Sequence, residues 1–348
     1  MNINIAGIEV GPIHKPFIIA EMSGNHNKSL ERAMQIVKAA ADAGAHAIKL
    51  QTYTPDSLTI DHKGGLFDIT DPNSLWYGRN LYELYNEART PYEWHEPLFK
   101  YAKELGIICF STPFDEEAVD MLEDLNAPVH KIASFENNHF PLLKKIAATG
   151  KPVIMSTGIS NLGDIAESVE HLRNNGSKEL ILLKCTSTYP ASPETTNLRT
   201  IPYMRGLFNC EVGLSDHTMG VGVAVAAIAL GATVIEKHFC LSRAEGGVDS
   251  AFSLEPHEMK ALVNETERAW KALGSVQFSI QEAEKKSLNF KRSIYVVKDI
   301  ETGEEFTTEN IKVIRPGDGL SPRYFERVLG QKALIPYKRG TPLKNVII

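Results

Sequence analysis

Two histidines, His217 in the run GLSDHT and His238 in IEKHF, sit where apolar, strand-like stretches of the chain end. Neutral imidazole is a common ligand for divalent transition metals, so two such rings at neighbouring strand ends can converge on one ion. An ion held by only two side chains keeps open positions for water and substrate, as catalysis requires. The alternative is a pair of hydrogen-bonded structural histidines. Lys49 (AIKLQ) and Lys131 (HKIAS) are embedded in equally apolar runs, and Lys184 (LLKC) follows the same pattern. With Ser134, Ser187 and Ser215 they offer a site for a phosphate and a carboxylate that needs no Walker-type loop. Glu21 and Glu136 are candidate general acid/base groups, or else ion-pair partners of those lysines. Lys237 joins His238 in the same strand-end set. Burying a charge without a partner costs on the order of several kcal/mol, so polar residues at nearly every strand end describe a site rather than noise. His26, in SGNHN, is a candidate substrate contact, and Trp76 and Tyr77 belong to an aromatic segment able to pack on an apolar part of a substrate.

The elements that must position these groups follow from hydrophobic periodicity. Short apolar runs alternate with longer amphipathic ones, the pattern of repeated βα units. Strands are predicted over residues 17–22, 46–52, 107–112, 131–134, 153–158, 180–185, 212–217 and 234–239. Eight strands match a closed α/β architecture, the (β/α)8 TIM barrel, in which C-terminal strand ends converge on one face. A doubly wound open sheet is the competing arrangement, but no GxGxxG follows the first strand. Helices are predicted over 30–43, 115–125, 140–148, 165–173 and 219–230. Residues 53–102 exceed what one crossover helix needs, and long insertions after barrel strands commonly build substrate loops. After about residue 285 the alternation stops, and short β runs with turn chemistry such as DIETG and RPGDG take over. The expected organisation is a catalytic barrel over 1–284, a linker over 285–292 and a small β-rich domain over 293–348.

Composition narrows the function classes. The 348 residues are 43% hydrophobic and 23% charged, with a formal charge of −6, and carry no Lys/Arg-rich stripe, so nucleic acid is not an expected partner. The start, MNINIAGIEVGPIHKP, lacks the basic head and apolar run of a signal peptide. No apolar stretch reaches the roughly 18 residues that span a bilayer, and the run VAVAAIAL reads as a buried helix. The expectation is a cytoplasmic protein with no membrane partner, whose cysteines 109, 185, 210 and 240 are buried and reduced.

In chain order, IAEMSGNHN, KLQT, FSTPFD, KIASFE, STG, CTSTYP, GLSDHT and IEKHF resemble the sialic acid synthase family along essentially the whole chain. The tail, EEFTTENIKVIRPGDG to KRGTPLKNVII, resembles that family's small antifreeze-like (SAF) domain. The segments SLWYGR, LLKCTSTYPASPE and EKHF…GGVDSAF are most similar to the branch that forms pseudaminic acid. The resemblance implies condensation of phosphoenolpyruvate with 2,4-diacetamido-2,4,6-trideoxy-β-L-altrose and water, releasing phosphate. The product of that branch serves bacterial surface or flagellin glycosylation. The same chemistry on N-acetylmannosamine or the legionaminic acid precursor is the near alternative, and a non-catalytic sugar- or ice-binding protein is the alternative from another class. A divalent metal ion is implied, manganese foremost, with magnesium or cobalt as substitutes. So is a domain-swapped homodimer. Carried over by position, the metal ligands fall on His217 and His238. The phosphoenolpyruvate contacts fall on Lys49, Thr112, Lys131, Ser134, Ser187 and Ser215, although relatives often carry Asn at the position of Ser187. Acid/base positions fall on Glu21 and Glu136. Sugar contacts fall on Tyr189, Asp249, Phe290 and, from the partner's tail, Arg315.

Overall fold

The structure is a computed structural model that describes residues 2–344 and residue 346; Met1 and the end of the tail, Asn345, Ile347 and Ile348, lie outside the described residues. The chain divides into two compact units, Met1–Gly274 and Ser275–Ile348.

The first unit begins with an antiparallel hairpin, β1 (Ile3–Ile5) and β2 (Ile8–Val10). Eight parallel strands follow: β3 (Phe17–Glu21), β4 (Ala47–Thr52), β5 (Ile108–Pro113), β6 (His130–Ile132), β7 (Val153–Ser156), β8 (Leu180–Cys185), β9 (Glu211–Ser215) and β10 (Val234–His238). They close into a barrel in sequence order, with β10 paired to β3. Every strand expected from the apolar runs is present. The helices are α1 (Leu30–Ala43), α2 (Pro55–Leu58), α3 (Leu81–Ala88), α4 (Tyr92–Leu105), α5 (Glu116–Asp124), α6 (Phe140–Ala148), α7 (Leu162–Asn174), α8 (Thr200–Phe208), α9 (Gly222–Ala229) and α10 (Pro256–Leu273). α1 shows why local sequence fixes such boundaries. The Ser29 side chain accepts a hydrogen bond from the Arg32 amide at its start, and Gly44, at φ 87°, ends it in the left-handed region that a Cβ disfavours.

Strand side chains alternate between the barrel interior and the helix layer. Inside, the lower layers are apolar: Phe17, Ile19, Ala47, Phe110, Ile154, Ile181, Leu183 and Val234 form one core with Ile3, Ile5 and Val10 of the hairpin, which plugs that end. Outside, Ile18, Ile48, Leu50, Leu182, Val212 and Ile235 pack beneath the helices. Gly213 permits close strand contact, since a Cβ there would lie 2.3 Å from the Val234 carbonyl oxygen. The interior becomes polar only toward the C-terminal strand ends. α2 and α3 belong to the long insertion after β4.

The second unit holds β11 (Ser293–Val296) paired antiparallel with β12 (Ile311–Ile314), and a short helix α11 (Phe325–Val328). Its own core contains Ile294, Val296, Ile300, Phe306, Ile311, Val328, Tyr337 and Leu343. No helix among the described residues is long and apolar enough to cross a membrane.

Candidate active site

Strand register assembles the site. In the β10–β3 and β3–β4 pairings, His238 lies beside Glu21 and Glu21 beside Lys49; in β9–β10 and β8–β9, Ser215 lies beside Glu236 and Cys185. All of these face the interior above the apolar layers and line a cavity of about 410 Å³. Of the residues singled out from sequence, Glu21, Lys49, Lys131, Ser134, Glu136, Tyr189, Ser215, His217, His238 and Asp249 line it. Thr112 lies beneath the surface and accepts a hydrogen bond from Lys49 Nζ at 3.3 Å. Ser187 sits against Gly158, where an added Cβ would fall 2.1 Å from its Oγ. Gly158 also donates its amide to Ser134 Oγ at 3.0 Å, so the STG turn holds both serines close. Phe290 and Arg315 belong to the second unit, where both are exposed.

The floor is a compact charge array. Lys49 Nζ lies 2.9 Å from Glu21 Oε1 and 3.3 Å from Glu236 Oε1, and Lys131 Nζ lies 3.6 Å from that same Glu236 oxygen. Lys131 also donates to Ser156 Oγ at 2.7 Å. All four charged side chains are almost completely buried. Burial alone would raise the Glu21 carboxyl, but His238, Lys49, Lys131 and a hydrogen bond from Gln51 hold it well below the carboxylate range. Burial presses both lysines downward; two carboxylates overcome this at Lys49, whose pKa is raised, whereas Lys131 stays lowered. Glu136 has no such compensation. Burial pushes it up to about 7 against the pull of the lysines, and its Oε2 is buried with no hydrogen-bond partner.

The two imidazoles meet beside this floor, their ring centroids 5.3 Å apart. His217 Nδ1 donates to the Thr186 carbonyl at 3.0 Å, which leaves its Nε2 as the lone-pair nitrogen. His238 Nε2 faces Glu21 Oε2 at 3.2 Å, while its Nδ1 is buried and unpartnered, 4.0 Å from Asp249 Oδ2. Each ring thus has one nitrogen oriented by the protein and one lone pair left over, the donor set that suits a divalent transition metal. Among the described residues no group of three or more His, Cys, Asp or Glu side chains is arranged to hold a metal ion. Cys185 Sγ lies 3.9 Å from His217 Nδ1; burial would raise this thiol, but the contact with His217 lowers it to about 7. Tyr189 covers the rings, 4.5 Å from His217 between centroids, and Asp249 accepts a hydrogen bond from Ser23.

The opposite wall is apolar and comes from the insertion: Leu58, Ile69, Trp76, Leu81 and Leu84 line it. Trp76 donates its indole N–H to the Val248 carbonyl at 2.9 Å, so its polar edge is satisfied and its ring faces inward. Tyr77 is exposed and lines no part of the cavity.

Three residues noted in the sequence lie elsewhere, the two lysines for reasons of strand parity and His26 because it belongs to the short helical turn Ser23–His26. Lys237 alternates with Glu236 and His238, points to the helix layer and pairs with Asp216 at 2.9 Å. Lys184 alternates with Cys185 and donates to that residue's carbonyl at 2.8 Å. His26 is packed edge-on against Trp94 outside the cavity, and burial lowers its pKa to about 4. Glu236 was not singled out from sequence, yet period two from His238 would have placed it on the inner face.

Comparison with known proteins identifies the two units. Residues 36–278 match the NeuB family model and residues 291–346 the SAF domain model. The chain is 47% identical to a pseudaminic acid synthase of Campylobacter jejuni, over 95% of this chain and 96% of that one. It is 41% identical to a pseudaminic acid synthase of Helicobacter pylori, over 95% and 97% of the respective chains. The crystal structure of an N-acetylneuraminic acid synthetase from Leptospira borgpetersenii, in complex with citrate, superimposes with a TM-score of 0.73 at 31% identity, covering 83% of this chain and 95% of that one. The NeuB model spans most of the chain and both relatives align along nearly all of it, and the chain belongs to the NeuB family of sialic acid synthases.

Proposed function

We propose that this protein condenses phosphoenolpyruvate with 2,4-diacetamido-2,4,6-trideoxy-β-L-altrose and water, forming pseudaminic acid and phosphate. The observation that carries the reading is the division of one cavity into a floor with two buried ammonium groups and two imidazoles, and a facing wall of aliphatic side chains. The floor suits an acid bearing phosphate and carboxylate. The wall suits a sugar with a methyl group where others carry a hydroxyl, and the named relatives point the same way.

In this reading Lys49 and Lys131 hold the two anionic groups of phosphoenolpyruvate, with Ser134, Ser187, Ser215 and Thr112 completing the contacts. His217 and His238 would hold a divalent ion, manganese foremost, which when bound polarises the sugar's aldehyde oxygen as a Lewis acid. C3 of phosphoenolpyruvate forms a bond to C1 of the open-chain sugar, and the aldehyde oxygen takes a proton from Glu136. Water adds at C2 and returns a proton to the Glu136 carboxylate; the C2–O bond to phosphate then breaks, the departing phosphate taking the C2 hydroxyl proton, to leave the keto acid. Glu21, held ionised, orients His238 and Lys49. Tyr189 and Asp249 contact the sugar. Much of the acceleration comes from holding the reacting carbons in line. The family resemblance supports the remaining parts: a cytoplasmic homodimer in which Arg315, with Phe290, serves a partner's barrel, and a barrel domain over 1–284 joined through 285–292 to a tail domain over 293–348.

The test is to mix protein, phosphoenolpyruvate and manganese with the trideoxy sugar, its 6-hydroxy analogue and N-acetylmannosamine, measuring phosphate and product mass. An apolar wall rejects an added hydroxyl only modestly, by up to roughly 100-fold. The expected result is a product of pseudaminic acid mass, with the hydroxylated analogue some 10- to 100-fold slower by that reasoning. Turnover of N-acetylmannosamine as the best substrate, or phosphate release with no sugar dependence, would refute the assignment.

A further inference from the structure

Glu236 is out of place in an anion site. A carboxylate among the groups that take up phosphate and carboxylate opposes the substrate's own charge, by an amount that is large at short range in a buried setting. Its contacts are nonetheless central. Its Oε1 lies 3.3 Å from Lys49 Nζ and 3.6 Å from Lys131 Nζ, and it accepts from Ser215 Oγ at 3.3 Å. Three groups expected to bind phosphoenolpyruvate therefore converge on one oxygen. Its Oε2 is buried, has no hydrogen-bond partner, and belongs to a side chain that lines the cavity. With Glu21 on Lys49, the floor holds two ammonium groups and two carboxylates, a neutral set before any substrate arrives.

We propose that Glu236 is a resident counter-anion: it gathers Lys49, Lys131 and Ser215 into the geometry of the bound acid and competes with phosphate for them. The empty site needs such a group, because two buried ammonium groups facing one cavity repel each other and neither is stable without a partner. The filled site also profits. A product phosphate held by two lysines in a dry cavity would leave slowly, and a fixed carboxylate on the same ammonium groups supplies the exchange partner that lets it go. Glu236 is thus a positioning residue that acts through the lysines, and its presence trades ground-state affinity for turnover.

The inference rests on the reading that the lysines receive the anions of phosphoenolpyruvate. The experiment measures binding of inorganic phosphate and of phosphoenolpyruvate by calorimetry to the full-length wild type, Glu236→Gln and Glu236→Asp, together with kcat and KM. Gln keeps the shape and removes the charge. The expected outcome is phosphate and phosphoenolpyruvate bound about tenfold more tightly, or more, by Glu236→Gln, with kcat lower by roughly 10- to 100-fold through misplaced lysines and slow release. A merely structural glutamate would lower affinity and turnover together. Weaker or unchanged anion binding in a folded Glu236→Gln protein overturns the proposal. Should that variant not fold, Glu236→Asp keeps the charge but withdraws it from the lysines, and about threefold tighter phosphate binding is expected; unchanged affinity overturns the proposal there. A wild type that binds neither phosphate nor phosphoenolpyruvate sinks the underlying reading as well, a result distinct from a wild type that binds both while the variants gain nothing.

Discussion

Lys237 and Asp216 form an ion pair with no exposed side-chain surface, 2.9 Å apart, on the outer face of β9–β10. Lys237 also donates to the Thr218 carbonyl at 2.5 Å, and Asp216 Oδ1 accepts from the Thr218 amide and hydroxyl at 2.9 and 2.7 Å. Replacing Lys237 with Met leaves the carboxylate buried without its counter-charge. Breaking a buried pair by removing one partner costs about 3–5 kcal/mol. For a unit of this size each kcal/mol lowers Tm by roughly 2–4 °C, so Lys237→Met should melt about 6–20 °C lower. The double variant Asp216→Asn/Lys237→Met removes both charges and keeps the amide oxygen for Thr218, so it should regain most of that loss. The chain has three tryptophans, Trp76, Trp94 and Trp270, all in the first unit, so intrinsic tryptophan fluorescence during heat or urea unfolding reports the barrel alone. This matters because a two-unit chain need not unfold in one step. If the double variant proves as unstable as the single one, the loss is one of packing and hydrogen bonding, and the buried-charge argument is wrong.

Glu136 predicts a pH dependence. Its carboxyl is pushed up to about 7, so the folded protein keeps a proton that the unfolded chain releases near 4.5, the ordinary value for glutamate. The folded state binds more protons across that window, so this group erodes stability as pH rises from 4.5 to 7. Glu136→Gln should abolish that slope, and should also remove the decline in kcat above about pH 7 expected of a proton donor; a wild-type rate profile flat through pH 7 argues against the role. For the imidazoles, His217→Ala and His238→Ala should each reduce phosphate release by about 100-fold or more with little change in melting temperature. Exhaustive chelation should do the same to the wild type, reversibly on adding manganese. Activity that survives chelation dismisses the metal.

Much of this architecture is legible in the sequence, and the limits are physical. The eight strands were readable because buried parallel strands are short apolar runs bounded by turns, and α1 because Ser29 and Gly44 mark its ends. The polar strand ends marked the mouth of the barrel. What apolar runs do not announce is parity. Lys237 drew attention by its charge, although a strand that turns His238 inward must turn its neighbour outward and bring Glu236 in. The same holds for Lys184 beside Cys185 and for Asp216 between Ser215 and His217. The aliphatic wall was less accessible still. Leu58, Ile69 and Leu81 come from an insertion of short helices and loops whose path is set by tertiary contacts such as the Trp76 hydrogen bond to Val248, and no periodicity encodes that path. From sequence alone Trp76 and its neighbour Tyr77 are equal packing candidates, and only the chain path separates them.

Parity also explains how the barrel tolerates so much buried charge around two imidazoles. On β9 and β10 the sequence places ionisable groups on both faces, and the two sets are satisfied independently. Asp216 and Lys237 neutralise each other under the helices, whereas Glu236 meets Lys49 and Lys131 inside. The outer pair ties Asp216, next to His217, to Lys237, next to His238; the inner set sets the charge that a substrate encounters. Changes to the outer pair should therefore appear as instability with anion affinity unchanged, whereas changes to the inner set, equally buried, should alter anion affinity and turnover whatever they cost in stability. Had one network spanned both faces, every substitution in it would mix the two effects, and no choice of variant could separate chemistry from folding.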